Sequence, residues 1–370
     1  MSDVEIGRSK RARAAYSFDD VSLVPSRRTR DDALVSLDWK IDAYSFNHPI
    51  IAAPMDSVVS PSSAKTFAAA GGLAILNLEG VWTRYEDPTG VLNDIAALDS
   101  KGATAKLQEI YAKPIQPELI AARIQEMRAS GITVAGALSP QRTAQFAKQV
   151  VDAGVDIFVI RGTTVSAEHV SNGGEALNLK EFIYQLDVPV IVGGCATYTA
   201  ALHLMRTGAA GVLVGFGGGA AHTTLDVLGV RVPMASAVAD VAAARRDYLD
   251  ESGGRYVSVI ADGSMGRSGD VSKAIALGAD AVVVGSTFAR ATDAPGRGKH
   301  WGIEATHLEL PRGELVDLGT TGTLSEIISG PSHTADGTMN MVGALRRAMA
   351  TCGYSDLKEF QRCEVVVTPN

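Results

Sequence analysis

Short apolar runs bounded by glycine or polar residues recur along the chain, at residues 49–53, 72–76, 133–137, 156–160, 189–192, 211–214, 257–261 and 281–284. Within each run the hydrophobicity is continuous rather than alternating, the pattern of parallel strands buried on both faces. Between the runs lie segments of helical periodicity. Residues 62–72, 142–154, 198–208 and 270–278 each end on a glycine stop that leads into the next apolar run.

Eight strand–helix units in order predict an α/β fold of the (β/α)8 TIM-barrel type, one domain over residues 1–370. An open doubly wound sheet is the alternative, but it usually places its phosphate loop after the first strand, and the glycine-rich loops here come late. One interval is long: residues 78–132, between the second and third strands, read as a short insertion with one amphipathic helix at 114–130. After about residue 294 the chain turns to polar loops, then a helix over 340–353.

Composition narrows the function classes. The 370 residues are 46% hydrophobic and 20% charged, with a net charge of −7, which argues against non-specific nucleic-acid binding. The basic run from Arg8 to Arg13 reads as a solvated tail. No apolar stretch reaches the ~18 residues of a membrane helix, and the N-terminus does not resemble a signal peptide. Cys195, Cys352 and Cys363 lack metal-ligand spacing, so no metal site and no disulfide framework is expected, and a reduced, cytoplasmic setting is.

In a parallel barrel the chemistry sits at the C-terminal ends of the strands, with phosphate often held after the seventh and eighth. The seventh run leads into Asp262-Gly263-Ser264 and the eighth into Gly285-Ser286. Glycines there let backbone N–H groups approach phosphate oxygens, and Asp262 can accept hydrogen bonds from ribose hydroxyls. The sixth run opens into Gly215-Phe-Gly-Gly-Gly-Ala-Ala-His-Thr-Thr224. Gly215, Gly217 and Ala220 fit a dinucleotide fingerprint by spacing, but that fingerprint opens a helix, and here a non-helical stretch reaches Pro233.

Several motifs together resemble the IMP dehydrogenase and GMP reductase family over nearly the whole chain. They are Tyr16-Ser-Phe-Asp-Asp-Val-Ser-Leu-Val-Pro25, Ala53-Pro-Met-Asp-Ser-Val58, Gly71-Gly72, Ala261-Asp262-Gly263 with Ser268-Gly269-Asp270, and Gly343-Ala-Leu-Arg-Arg347. The compact 78–132 segment resembles the branch that lacks the regulatory pair of cystathionine-synthase-type domains. The resemblance implies a cytoplasmic homo-oligomer, a tetramer or larger, in purine nucleotide metabolism. It further implies a purine nucleoside 5′-monophosphate (IMP, XMP or GMP) held by Met55, Gly219, Asp262, Gly263, Ser264, Gly285 and Ser286, with NAD as redox partner.

The resemblance also marks departures. The family's cysteine, whose thiolate attacks C2 of the purine before hydride passes to NAD, is matched by His222, and a phosphate-holding serine by Ala220. An aspartate that engages the nicotinamide ribose is matched by Arg161, and an asparagine near the substrate by Cys195. The Gln or Glu of the late loop appears as Arg312, whereas Thr224 matches a threonine that activates water or leaving groups. The Arg-Tyr pair of the flap is not recognisable, and Lys299-His-Trp-Gly302 stands about where the base is contacted. The monovalent-cation site is expected to be incomplete, because its completing tail is short here. Two readings follow: an oxidoreductase with altered chemistry, His222 serving as general base, base-contacting donor or loop filler, or a purine-nucleotide-binding regulatory or assembly protein without turnover.

Overall fold

The computed structural model describes residues 3–170, 177–216 and 218–368, so Gly217 of the sixth-strand loop lies outside the described residues. Eight parallel strands form a closed barrel: Ile50–Ala52, Leu73–Asn77, Ala135–Leu138, Ile157–Arg161, Val190–Cys195, Gly211–Val214, Ser258–Asp262 and Ala281–Val284. The eighth pairs with the first, Val283 opposite Ile51, and that pairing removes both sheet edges. Ile51, Ile75, Val159, Ile191, Val212, Val259 and Val282 are completely buried, which is why their strands read as continuous apolar runs.

Helices on the outside start where their caps dictate. Ser60 Oγ accepts the Ser63 N–H at 2.9 Å and Pro61 opens the helix Pro61–Ala69. The Asp270 carboxylate accepts the Arg267 N–H at 3.0 Å, so the helix after the seventh strand, Ser268–Ala276, begins two residues before the expected 270. Helices Tyr198–Met205 and Met341–Cys352 fall within the expected segments, and Pro140–Asp152 begins two residues before the expected 142.

Three segments differ from the sequence reading. Lys10–Arg13 is no simple tail but pairs with Asp3–Gly7 as an antiparallel hairpin, and Arg13 Nη1 reaches Asp240 at 2.5 Å. The stretch before Pro233 holds a five-residue helix, Thr224–Leu228, and the 18-residue helix Met234–Glu251 follows. In interval 78–132 the expected helix is Pro117–Arg128, and two further helices, Thr89–Ala96 and Ala103–Ala112, precede it. The interval also builds a second apolar cluster, in which Val81, Ile95, Leu107, Ile110 and Tyr111 pack with Trp301, Ala305 and Leu315 of the late loop.

At the N-terminal end of the barrel one carboxylate ties four elements together. Asp280, just before the eighth strand, accepts from Arg245 Nη1 and Tyr256 Oη at 2.6 Å each, Lys358 Nζ at 2.5 Å, and Val259 N at 2.8 Å. Burial alone would raise its pKa, but Arg245 and Lys358 hold it below the ordinary carboxylate range. A group depressed in the folded state stabilises the fold above its unfolded pKa of about 3.9 and ceases to do so as pH falls through the folded value. Asp280→Asn is therefore expected to cost about 3 kcal/mol at pH 7, since it strands a buried guanidinium. Urea midpoints of the two proteins at pH 7 and pH 3 should differ less at the lower pH.

Candidate functional site

A cleft opens at the C-terminal ends of the barrel strands, with about 620 Å³ of empty space counting its mouth. Its walls are Ala53 and Met55 after the first strand, Arg161 to Thr163 after the fourth, and Gly215 to His222 after the sixth, where Phe216, Gly218, Gly219 and Ala220 take part. Asp262 to Met265 after the seventh, Gly285 and Ser286 after the eighth, and His300 and Glu304 of the late loop complete it. The seventh-strand loop is pressed against the sixth: Ser264 Oγ donates to the Gly218 carbonyl at 3.1 Å while its own backbone sits at φ 59°. That left-handed conformation is uncommon for serine, and the close packing around it holds it there.

His222 is fixed from both sides. Its residue forms an antiparallel bridge with Gly313, Thr223 N donates to Arg312 O at 3.1 Å, and Glu314 N donates to Ala221 O at 2.9 Å. The ring Nε2 lies 3.1 Å from Glu304 Oε2, with the two side chains only 10% and 9% exposed. Gly302 makes room for this contact, since a Cβ there would stand 3.0 Å from Glu304 Oε2 and 3.2 Å from His222 Nε2.

Burial would raise the Glu304 carboxyl, but His222 and then Arg161 hold it well below the usual range, so it is an anion. Burial would lower Arg161, but Asp262 and Glu304 raise it, and Arg161 Nε donates to Asp262 Oδ2 at 3.0 Å. His300 is pushed down to about 3 by burial and by His222, hence neutral, and its Nδ1 meets Ser57 Oγ at 2.9 Å.

The late loop rests on the 78–132 interval. Trp301 Nε1 donates to Tyr111 Oη at 2.8 Å, and Tyr111 donates to Asp56 Oδ2 at 2.5 Å. Asp56, one residue past Met55, also accepts from Asn77 Nδ2 at 3.1 Å and Val81 N at 2.8 Å.

The residues singled out in the sequence separate into three groups. Met55, Arg161, Gly219, His222, Asp262, Gly263, Ser264, Gly285 and Ser286 all line the one cleft. Thr224 lies fully buried behind it, its Oγ1 without a hydrogen-bond partner among the described residues. Arg312 lines a neighbouring cleft that shares Arg161, Gly162, Thr163 and Glu304 with the first.

Cys195, expected near the substrate and its redox cofactor, lines neither cleft. It is 1% exposed, its thiol points at the Leu213 carbonyl at 3.4 Å, and burial pushes it up to about 12. Sequence reasoning missed Glu304, Tyr111 and Asp56. Glu304 lies 82 positions from His222, and the bridge to Gly313 and the packing of the late loop on the 78–132 interval bring it in. Among the described residues no group of three or more His, Cys, Asp or Glu could hold a metal ion, and no helix is long and apolar enough to cross a membrane.

Residues 15–314 match the IMP dehydrogenase / GMP reductase domain family. A protein of Mycolicibacterium smegmatis named an uncharacterized oxidoreductase is 49% identical over 98% of this chain and 99% of its own. The inosine-5′-monophosphate dehydrogenase of Methanocaldococcus jannaschii is 27% identical over 97% of this chain and 94% of its own. The crystal structure of an IMP dehydrogenase/GMP reductase-like protein from Corynebacterium glutamicum superposes with a TM-score of 0.94 at 49% identity, covering 99% of this chain and 97% of that one.

Removing the Tyr111 hydroxyl leaves both Trp301 Nε1 and Asp56 Oδ2 without this partner. Tyr111→Phe should therefore cost about 1–3 kcal/mol, read as a lower thermal midpoint with altered tryptophan fluorescence. An unchanged midpoint and spectrum would show that the late loop does not depend on this strut.

Proposed function

The chain belongs to the IMP dehydrogenase / GMP reductase family, and on that premise we propose that its first cleft holds a purine nucleoside 5′-monophosphate without the family's cysteine-based oxidation. The observation that carries the reading is the convergence of two Gly-Ser strand ends, Gly263-Ser264 and Gly285-Ser286, with Asp262 and Met55 in one cleft. Small residues at strand ends admit a phosphate to backbone N–H groups, and Asp262, steadied by Arg161, supplies a carboxylate to a ribose.

The residues present do not fit NAD-linked chemistry of the thioimidate kind. No thiol lines either cleft among the described residues, and the position where the resemblance implies the nucleophile carries His222, bound to Glu304. Hydride transfer in the family needs the covalent purine adduct, and a cleft without a thiol gives that adduct no starting point. An imidazole held by a carboxylate can instead take up and return a proton, or fix the purine by hydrogen bonds. The second reading, a nucleotide-binding regulatory or assembly protein without turnover, is favoured by the burial of the His222–Glu304 pair.

IMP, XMP and GMP are expected to raise the thermal midpoint by several degrees, since a ligand at a hundred times its Kd contributes about 2.7 kcal/mol. The matching nucleosides should not. No shift with any monophosphate would exclude the nucleotide reading. With IMP and NAD the wild type is expected to form no NADH by absorbance, and steady turnover would contradict the chemical half of the proposal.

A further inference from the structure

Two thiols meet outside both clefts. Cys195, Cys352 and Cys363 are all free and buried, and Cys195 stands apart at the end of the fifth strand. Cys352 closes the helix Met341–Cys352, and Gly353, at φ 90°, turns the chain back at its C-terminus. The chain returns through the short helix Leu357–Phe360, with the Tyr354 ring 5.8 Å from that of Phe360. It then reaches Cys363, just before the last strand, Val365–Val367.

One short stretch near the N-terminus holds both cysteines. Val24 N donates to Glu364 O at 2.9 Å, and Ser26 N donates to Cys352 O at 3.4 Å. The Cys363 thiol donates to Val24 O at 3.6 Å. Residues 24 and 26 thus fix the two backbones side by side, and the thiols of Cys352 and Cys363 are in hydrogen-bonding contact with each other. Among the described residues neither thiol lines a cleft or joins a group able to hold a metal ion. The chemistry that two touching thiols share is oxidation to a disulfide.

We propose that Cys352 and Cys363 are a reversible disulfide site, closed by a small organic disulfide and reopened by thiols. One cysteine thiolate attacks a sulfur of the oxidant, forming a mixed disulfide and releasing the first small thiolate. The second cysteine then attacks the protein sulfur of that mixed disulfide, forming the Cys352–Cys363 bond and releasing the second. The two protein protons leave on the released thiols, and the oxidant gains the two electrons that the cysteine pair loses.

The bond would staple the two ends of the chain. Val365–Val367 pairs with Val21–Leu23 in a sheet of two strands, and Val366 and Val367 are exposed. A terminal pair of that kind frays at little cost, and fraying brings the buried thiols to solvent. Burial pushes both thiols up, Cys363 to about 12, so the thiolate fraction is small at neutral pH. Closure is therefore slow there and quickens as pH rises. Once made, the bond ties the last strand, and the entry strand paired with it, to the end of the helix Met341–Cys352.

The test is incubation of the reduced protein with excess oxidised glutathione at pH 7 and pH 9, followed by intact mass and non-reducing peptide mapping. The wild type is expected to lose the mass of two hydrogen atoms, faster at pH 9, with Cys352 and Cys363 in one cross-linked peptide. Dithiothreitol should reverse it. Amide exchange at Val21–Leu23 and Val365–Val367 should slow at least tenfold in the closed form. Cys352→Ser and Cys363→Ser should each stop at a mixed disulfide with glutathione, whereas Cys195→Ser should behave as the wild type. If a serine variant fails to fold, the wild-type map alone decides. No cross-link at either pH, a cross-link between chains or through Cys195, unresolved glutathione adducts on both cysteines, or unchanged exchange at the paired strands would overturn the proposal.

Discussion

A carboxylate sealed from water must be matched by charge or it will not ionise, and Glu304 is matched from two directions. His222 approaches it at 3.1 Å and Arg161 lies close enough to hold its pKa down. Arg161 in turn pairs with Asp262, so four groups from the fourth, sixth and seventh strand ends and the late loop form one charge-balanced set. Isolated burial of any one of them would cost several kcal/mol. Together they fix the relative positions of the loops that make the cleft. The same compensation holds His222 against a carboxylate, on the side where the resemblance implies a free nucleophile.

The set is only as firm as the loop that carries Glu304. That loop has little regular structure, a two-residue strand at Lys299–His300 and a short 3-10 turn at Ile303–Thr306. Its rigidity comes from outside: the apolar cluster with the 78–132 helices, the Tyr111 bridge, and the backbone bridge to His222. The interval that looks like an incidental excursion in the sequence thus acts as the buttress of the site. It reaches the cleft through Asp56, which shares its segment with Met55.

The barrel was legible because its strands are buried on both faces, which leaves short continuous apolar runs such as 281–284 alternating with segments of helical periodicity. The lining of the cleft was legible where strand ends supply it, as at Gly263-Ser264 and Gly285-Ser286, which the barrel brings together. What could not be read were contacts between distant segments. Nothing near Glu304 in the chain distinguishes it from a solvated glutamate, and Tyr111 sits in an amphipathic helix like any core tyrosine. Cys195 misled for the complementary reason: a position at a strand end places a residue near the cleft face, but the side-chain direction alternates, and this thiol turns toward the Leu213 carbonyl of the neighbouring strand.

The most direct measurement is a crystal structure of the protein grown with IMP. The account predicts the phosphate against Gly263, Ser264, Gly285 and Ser286, the ribose at Asp262, and His222 still on Glu304 with no bond to the purine. A phosphate bound elsewhere on the barrel, or a covalent adduct between the purine and any side chain of the cleft, would contradict it.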